Sequence, residues 1–294
     1  MMSGHETIGN TVRDTEELAD AAAVRSATGD DPFARGSAGW RQLRGWRRPG
    51  VAAWCGYRPG HPDPGLAAVG EPGAVAALVD DLADRSLLPA GRLRAVLPYG
   101  SAGEFGRVAV DGNRPPADWD HLWTRAAPAE QPAEHRVRWL RSADAGAIDA
   151  LLDEGNPDSH ARPDSAHVRR WAGAFDEDGR LVACGADTAV DAATGNLSAI
   201  TTHPLARGRG LGAAVTAFLT RAAFAEGADV VTLGLWSWND PARRIYQRLG
   251  FGHPRRFTTQ WLLPDLSTGR SPAGQCAERG PVRLSRAEQR DRVR

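Results

Sequence analysis

Four consecutive segments between residues 196 and 251 decide the fold of this chain. They read NLSAITTHPLARGRGLG at 196–212, an apolar-striped segment up to Gly227, VVTLGLW at 230–236 and NDPARRIYQRLGF at 239–251. Apolar and β-branched runs indicate strands at the start of the first segment and in the third. Apolar residues at helical spacing indicate helices in the second and fourth. The alternation of strand and helix predicts an α/β fold.

A turn rich in glycine and arginine joins the first strand to the first helix. It reads RGRGLG from Arg207 to Gly212. Glycine lets a backbone approach a ligand closely, and the first turn of a helix presents free N–H groups and partial positive charge. Because Arg207 and Arg209 add formal charge there, the turn is a candidate pyrophosphate site. On the last helix, Asp240 is the expected N-cap, and Tyr246 shares one face with Arg243.

Two of these motifs resemble the signatures of the GNAT superfamily of acyl-CoA-dependent N-acyltransferases. Arg207 to Gly212 is similar to that family's R/Q-x-x-G-x-G/A motif, and Asn239 to Phe251 is similar to its N-x-x-A-x-x-x-Y-x-x-x-G-F motif. The preceding Thr202-His203-Pro204 resembles the family's V-x-P lead-in, with threonine in place of valine. The resemblance covers about residues 136–263 and implies a mixed central sheet flanked by helices.

The resemblance also implies a cofactor and its site. The cofactor is acetyl-CoA or another acyl-CoA, with the pantetheine arm between two splayed strands, Asn196–Thr202 and Val230–Trp236, and the pyrophosphate on the turn. Backbone groups of the first strand bond the pantetheine amides in the manner of an added strand. The cofactor-binding residues expected on this basis are Ile200, Thr201, Thr202, Arg207, Gly208, Arg209, Gly210, Leu211, Gly212, Asn239 and Arg243.

The implied reaction is acyl transfer to a primary amine of a small molecule or peptide. Tyr246 matches the family's acid position, and its ordinary pKa of about 10 keeps it protonated at neutral pH. A backbone N–H at the end of the first strand is expected to polarise the thioester carbonyl. That strand lacks the glutamate that serves as base in many family members. Asp187, His160 or a chain of water molecules are the remaining candidates.

Three other interpretations compete with this one. Gly208, Gly210 and Ala213 satisfy the dinucleotide fingerprint G-x-G-x-x-A, but that fold requires the strand to run straight into the glycines and an acidic residue after the next strand. Here HPLAR intervenes, and the next strand ends in Leu235 and Trp236 with no acidic residue after it until Asp240. A plain glycine-rich turn with a structural tyrosine is the second. A non-catalytic acyl-CoA sensor or scaffold is the third.

Composition narrows the class of protein and its partners. The 294 residues are 41% hydrophobic and 24% charged with a formal net charge of +0, so neither nucleic acid nor a membrane is an expected partner. Three scattered cysteines form no disulfide framework or metal-spaced pair, which fits a reducing cytoplasm. Every basic residue is arginine, and the abundance of arginine, alanine and glycine indicates a GC-rich bacterial genome. We expect a monomer or a homodimer.

The chain divides into five predicted parts. These are a loose N-terminal arm at 1–30 with a possible helix over 15–24, a first domain at 31–128, a linker at 129–135, the GNAT domain at 136–264 and a disordered tail at 265–294. Within the first domain, the order strand 65–69, helix 72–83, strand 93–97 resembles a degenerate GNAT repeat. Its strand-to-helix junction reads GEPG and has no glycine-arginine cradle, so we expect two tandem GNAT-like domains with one CoA.

Overall fold

The computed structural model describes residues 15–267, and the rest of the predicted arm and tail lies outside this range. Its helices are α1 (Ala21–Ala27), α2 (Pro32–Arg35), α3 (Pro72–Asp84), α4 (Ala145–Gly155), α5 (Leu211–Ala225) and α6 (Asp240–Arg248). Its strands are β1 (Glu16–Leu18), β2 (Arg41–Arg48), β3 (Val51–Tyr57), β4 (Pro64–Val69), β5 (Leu93–Pro98), β6 (Val108–Val110), β7 (Ala117–Thr124), β8 (Val137–Trp139), β9 (Arg170–Phe175), β10 (Leu181–Asp187), β11 (Thr194–Thr202), β12 (Val230–Trp236) and β13 (Gly252–Ser267).

All 13 strands belong to one mixed sheet. Twelve of them run in the order β1-β2-β3-β4-β5-β13-β7-β12-β11-β10-β9-β8, and β6 pairs with β13. The pairs β4–β5 and β11–β12 are parallel, and the other pairs are antiparallel. The mixed α/β architecture predicted from the sequence is therefore confirmed. We call residues 15–128 the N-half and residues 129–267 the C-half.

The two halves exchange strands at the centre of the sheet. Strand β7 of the N-half lies between β12 and β13 of the C-half, with Leu122 opposite Leu233. Strand β13 of the C-half in turn lies between β7 and β5, with Trp261 opposite Arg94. The two tandem domains predicted at 31–128 and 136–264 therefore share one sheet and interleave at its centre. Apolar patterns locate strands, but they do not say which strands pair.

Residues 15–30 correct the prediction of a loose arm over 1–30. Strand β1 pairs with β2, and Asp20 caps α1 by accepting a hydrogen bond from the N–H of Ala23. Leu18 and Val24 are buried and pack with Trp54. The expected helix over 15–24 begins later, at Ala21, and is preceded by the short strand. Two apolar residues in a polar segment are enough to hold it against the sheet.

The expected linker at 129–135 is likewise part of the folded body. A 3₁₀ turn over Pro132–Arg136 places Glu134 in a buried ion pair with Arg221 of α5. The carboxylate of Glu134 also accepts the N–H of Gln131, which closes the turn. The segment therefore fastens the start of the C-half to its central helix instead of separating two units.

Helices cover both faces of the C-half sheet. Helices α5 and α6 pack on one face with Leu197, Leu233 and Leu122, and α4 packs on the other with Trp171 and Cys184. Apolar residues of β11 and β12 that point towards α5 build the larger of these clusters, as the helical spacing predicted. Nowhere in residues 15–267 is there a helix long and apolar enough to cross a bilayer.

Candidate active site

A gap opens between the two parallel strands of the C-half. Strands β11 and β12 pair from Thr194 with Val230 to Leu197 with Leu233, and no farther. Residues 198–202 and 234–236 continue each strand without this pairing. Their backbone groups facing the gap have no partner from the other strand, so an extended ligand can bond to them as an added strand would. We call this gap the cleft; it lies where the sequence predicted splayed strands.

An irregularity in β11 lines one side of the cleft. Ser198 pairs with Ala186 and Thr201 with Cys184, so two residues of β11 oppose the single Gly185 of β10. Ala199, one of these two, has φ +51°, a left-handed conformation unusual for a residue with a side chain. A bulge leaves an extra residue outside the ladder and redirects its backbone groups. An N–H at this point can reach a carbonyl oxygen in the cleft.

The glycine-arginine turn closes one end of the cleft and starts α5. Gly208 and Gly210 have φ values of +80° and +77°, and a Cβ on either would meet no atom within 4 Å. Gly210 is the N-cap residue of α5 and no side chain caps the helix, so its first N–H groups are left for a ligand. Gly212 approaches the hydroxyl of Thr202, where a Cβ would lie 3.2 Å from the oxygen. The turn thus has the shape and the free donors of an anion cradle.

Exposed charged and apolar side chains surround the mouth of the cleft. Arg207 and Arg209 are exposed, and the Nε of Arg207 lies 3.4 Å from the carbonyl oxygen of Thr202. Leu205 is 81% exposed in the same turn, and Trp238 is 61% exposed just after β12. Large apolar residues with this exposure at one place often mark a ligand site.

Tyr246 of α6 is the one residue predicted to act in catalysis. It is 7% exposed and packs in the core of the C-half, with its ring centroid 6.1 Å from that of Phe251. Its hydroxyl forms no hydrogen bond with any of the residues described. Burial raises the pKa of Tyr246 well above its usual range, so the hydroxyl stays protonated and free to donate.

Two further predicted site residues on α6 have structural partners. The carboxamide oxygen of Asn239 accepts the N–H of Ala242, so Asn239 is the N-cap and the expected cap, Asp240, is the first helical residue. The guanidinium of Arg243 pairs with the buried Asp120 of β7 and donates to the carbonyl oxygen of Ser237. These donors connect α6 to the exchanged strand, and the role of Arg243 in cofactor binding stays a prediction.

The candidate bases lie apart from the bulge. Asp187 is buried at the end of β10 next to Leu197, where β11 and β12 are still paired, and it forms ion pairs with Arg169 and Arg170. His160 lies on the loop after α4, with its ring centroid 6.4 Å from that of His61 in the N-half.

The structure brings two histidines to the site that the sequence analysis did not select. His203 follows β11; its Nδ1 accepts the N–H of Leu205, and its Nε2 lies 2.6 Å from a carboxylate oxygen of Glu154 at the end of α4. This contact joins α4 to the mouth of the cleft. His121 of β7 lies opposite Gly234 of β12. The surrounding sequence, DWDHLWT, places a tryptophan two residues before and two residues after His121, and so on the same face of the strand, which was the available signal.

His121 is enclosed by aromatic rings. It is 6% exposed, its Nδ1 is buried without a hydrogen-bond partner, and the rings of Phe33, Trp123 and Trp119 lie 5.6, 5.7 and 6.3 Å away. Burial lowers the pKa of His121 to about 3, with a smaller contribution from Arg255. The imidazole is therefore neutral at physiological pH, beside the free part of β12.

Comparison with known proteins places this site in a family. Residues 128–251 match the model of the Acetyltransferase (GNAT) family, a segment that contains the cleft, the glycine-arginine turn and α6. This part of the chain is therefore similar to a GNAT acetyltransferase domain, which confirms the resemblance drawn from the two motifs. No curated protein matches the sequence.

Solved structures share the fold over most of the chain. A GCN5-related N-acetyltransferase from Sphaerobacter thermophilus matches with a TM-score of 0.51 and 17% identity, over 84% of this chain and 95% of that one. A protein assigned to the GNAT family from Novosphingobium aromaticivorans DSM 12444 is 26% identical over 67% of this chain and 83% of that one, with a TM-score of 0.48. A tandem GNAT protein from the clavulanic acid biosynthesis pathway is 16% identical over 88% of this chain and 100% of that one, with a TM-score of 0.46.

Proposed function

We propose that the chain transfers an acetyl group from acetyl-CoA to a primary amine of a small molecule or peptide. The observation that carries the proposal is that residues 196–251 combine three features: the unpaired strand edges of the cleft, the uncapped start of α5 behind Gly210, and the free hydroxyl of Tyr246. The strand edges would bind the pantetheine arm of an acyl-CoA, the helix start would bind its phosphates, and the hydroxyl would donate to its leaving sulfur.

The donor is held mainly by backbone groups in this proposal. Ile200, Thr201 and Thr202 bond the amides of the pantetheine arm, because their strand has no partner across the cleft. The N–H groups from Arg207 to Gly212 bind the pyrophosphate, and the exposed guanidiniums of Arg207 and Arg209 add charge. Asn239 contributes its carboxamide nitrogen, since its oxygen is occupied as the cap.

Tyr246 acts on the leaving sulfur as a hydrogen-bond donor. A neutral amine attacks the thioester carbonyl, the carbon–sulfur bond breaks, and CoA leaves as a thiolate. A thiol has a pKa of about 8.5, while burial holds the pKa of Tyr246 far above that value. Full transfer of the tyrosine proton to the thiolate is therefore unfavourable, and a hydrogen bond that stabilises the developing charge is the favoured role.

The proton released by the amine leaves through water in this mechanism. Strand β11 carries no carboxylate, Asp187 is held by two arginines, and the mouth of the cleft is open around Leu205 and Trp238. An N–H at the Ala199 bulge polarises the carbonyl oxygen. This route for the proton requires no carboxylate on β11, only water at the open mouth of the cleft.

The test is turnover of acetyl-CoA by the full chain with a panel of amines, followed by release of the CoA thiol. Gly210→Asp places bulk and negative charge against the pyrophosphate, and we expect it to lower CoA affinity by at least about 100-fold. Gly227→Asp is the matched control, since Gly227 also has a positive φ and open space but lies at the far end of α5. CoA binding without turnover of any amine would favour the non-catalytic alternative, a sensor or scaffold.

We also propose that the N-half binds no second CoA. Its corresponding helix α3 begins at Pro72 behind Glu71, so a carboxylate replaces the glycine-arginine cradle. A cavity of about 820 Å³ lies beside this junction, and Glu16, Asp31 and Glu71 on its wall offset its three arginines. Calorimetry with CoA should give one site per chain, and a stoichiometry near two would disprove this proposal.

A further inference from the structure

Five side chains that can carry positive charge meet where the two halves face each other, away from the glycine-arginine turn. We call them the interface cluster. They are Arg58, His61 and Arg94 from the N-half and His160 and His167 from the C-half. None of them was selected as a binding residue from the sequence, and the acetyl-transfer proposal uses none of them.

Glycines let these side chains come together. Gly65 of β4 pairs with Arg94 of β5, and a Cβ on Gly65 would lie 3.1 Å from the Nε of Arg58. The two guanidinium-bearing residues therefore flank the same glycine. A Cβ on Gly60 would lie 2.7 Å from the Nδ1 of His167, so the loop after β3 touches the loop before β9.

The two arginines lack the partners that other arginines of this fold possess. Arg35, which is buried, pairs with Asp30 and Asp229. In residues 15–267, neither Arg58 nor Arg94 forms an ion pair or a side-chain hydrogen bond, and the Nε of Arg58 and the Nδ1 of His167 are buried without partners. Both arginines are half-buried, and partial removal of an unpaired charge from water is unfavourable, so an anion bound here would offset that cost.

The electrostatics of the cluster favour an anion. Burial, with repulsion from Arg94, lowers the pKa of Arg58 to about 9, and burial with repulsion from both arginines lowers the pKa of His61 to about 4. Burial also lowers the pKa of His160, which Asp158 opposes. At neutral pH the arginines are charged and His61 is neutral, so the cluster combines positive charge with imidazole groups that can donate a hydrogen bond.

We propose that the interface cluster binds the carboxylate or phosphate group of a small organic anion. Arg58 and Arg94 hold its oxygens, and the histidines complete the hydrogen bonds. The indole of Trp40 lies against the same glycine, 3.4 Å from the Cβ position of Gly65, and supplies a wall for the organic part. A metal ion does not suit the arginines, and no group of three metal-binding side chains occurs among residues 15–267.

The test is calorimetric titration of the full chain with succinate and, separately, with inorganic phosphate in a buffer of low ionic strength. We expect at least one of them to bind at millimolar concentration or below. Arg58→Gln and Arg94→Gln should each weaken that binding about tenfold or more, since each removes a charge-assisted hydrogen bond. Arg92→Gln is the matched control, because Arg92 is exposed and pairs with Asp111, and it should bind as the wild type does.

The variants also report on the fold without any ligand. Because each removes an unpaired, half-buried charge, Arg58→Gln and Arg94→Gln should melt at or above the wild-type temperature. Arg58→Lys, which keeps the charge but loses the planar fork, should bind with intermediate affinity.

Binding of succinate alone identifies a carboxylate ligand, and binding of phosphate alone identifies a phosphate ligand. Failure of both anions to bind, or binding that Arg58→Gln and Arg94→Gln leave unchanged, would overturn the proposal.

Discussion

At the scale of single residues, Tyr246 has a hydroxyl that no residue in the described range uses. Tyr246→Phe keeps the ring in the core and removes a donor without leaving a partner unsatisfied. We expect kcat to fall by about 10²–10⁴ if the hydroxyl serves the leaving sulfur. CoA affinity and the melting temperature should change little.

Steady-state kinetics, calorimetry and thermal melting of Tyr246→Phe give these three quantities. Tyr99→Phe is the matched control, because Tyr99 is 55% exposed in the N-half, and all three should stay at their wild-type values. An unchanged kcat in Tyr246→Phe would remove Tyr246 from the mechanism and leave it a packed core residue.

His121 gives a prediction about pH. Its pKa is about 3 in the folded chain and about 6.5 in an unfolded one. Between these values the unfolded chain binds more protons, so the free energy of unfolding should fall as the pH drops from about 6.5 towards 3. The slope from one such histidine is up to about 1.4 kcal/mol per pH unit, and His61, with a pKa of about 4, adds to it above that pH.

Urea unfolding at several pH values measures this slope. His121→Phe should lower the slope in the acid range by up to about 1.4 kcal/mol per pH unit, which corresponds to one proton. His135→Gln is the control for the loss of an imidazole, because His135 is exposed. A slope that His121→Phe leaves as steep as in the wild type would show that other groups cause the loss of stability.

At the scale of elements, Asp120 connects three of them. The carboxylate is 2% exposed on β7 and pairs with Arg243 of α6 and Arg256 of β13. Burial opposes its ionisation, but these two arginines outweigh burial and lower the pKa of Asp120. Asp120→Asn leaves the largely buried Arg243 with only the exposed Asp240 as a counter-charge, so the free energy of unfolding should fall by about 3 kcal/mol.

Chemical denaturation of Asp120→Asn and Asp240→Asn tests that value. Asp240 also pairs with Arg243, but its side chain is 69% exposed, so its removal should cost less than about 1 kcal/mol. Equal losses in the two variants would contradict the view that burial of Asp120 makes its ion pairs important.

The sequence predicted the helices and strands of the C-half better than it predicted which strands pair and which side chains form ion pairs. Gly208 and Gly210 stood out because positive φ values and close backbone approach require glycine, and α3 and α5 stood out by helical spacing. The exchange of β7 and β13 left no such trace, since backbone bonding in a ladder does not depend on side-chain identity. The roles of Asp120 and of Glu134 depend on partners 123 and 87 residues away in sequence, which local patterns do not encode.

At the scale of the whole molecule, the exchanged strands make the halves depend on each other. A fragment of residues 136–294 lacks β7, so β12 and β13 would expose open edges where a strand belongs. We expect this fragment to aggregate or to remain unfolded. Residues 1–128 and 129–294, expressed together as two chains, should form a soluble complex, because the break falls in the irregular segment between β7 and the 3₁₀ turn.

Size-exclusion chromatography and circular dichroism of the fragments check this prediction. The co-expressed pair should elute at the volume of the intact chain and keep its ability to bind CoA. A lone 136–294 fragment that is monomeric and unfolds cooperatively would show that β7 is dispensable.

The position of β13 in the sequence also determines when the sheet can be completed during synthesis. Strand β5 pairs with β13, and residues 252–267 of β13 follow β5 in the sequence by more than half of the chain. The ribosome therefore synthesises this neighbour of β5 much later than β5 itself. At about 5–20 residues per second, the edge of β5 stays open for roughly 10–30 s after it emerges. Native closure of this edge therefore requires residues 252–267, and a nascent chain stalled before residue 252 exposes an incomplete sheet to chaperones.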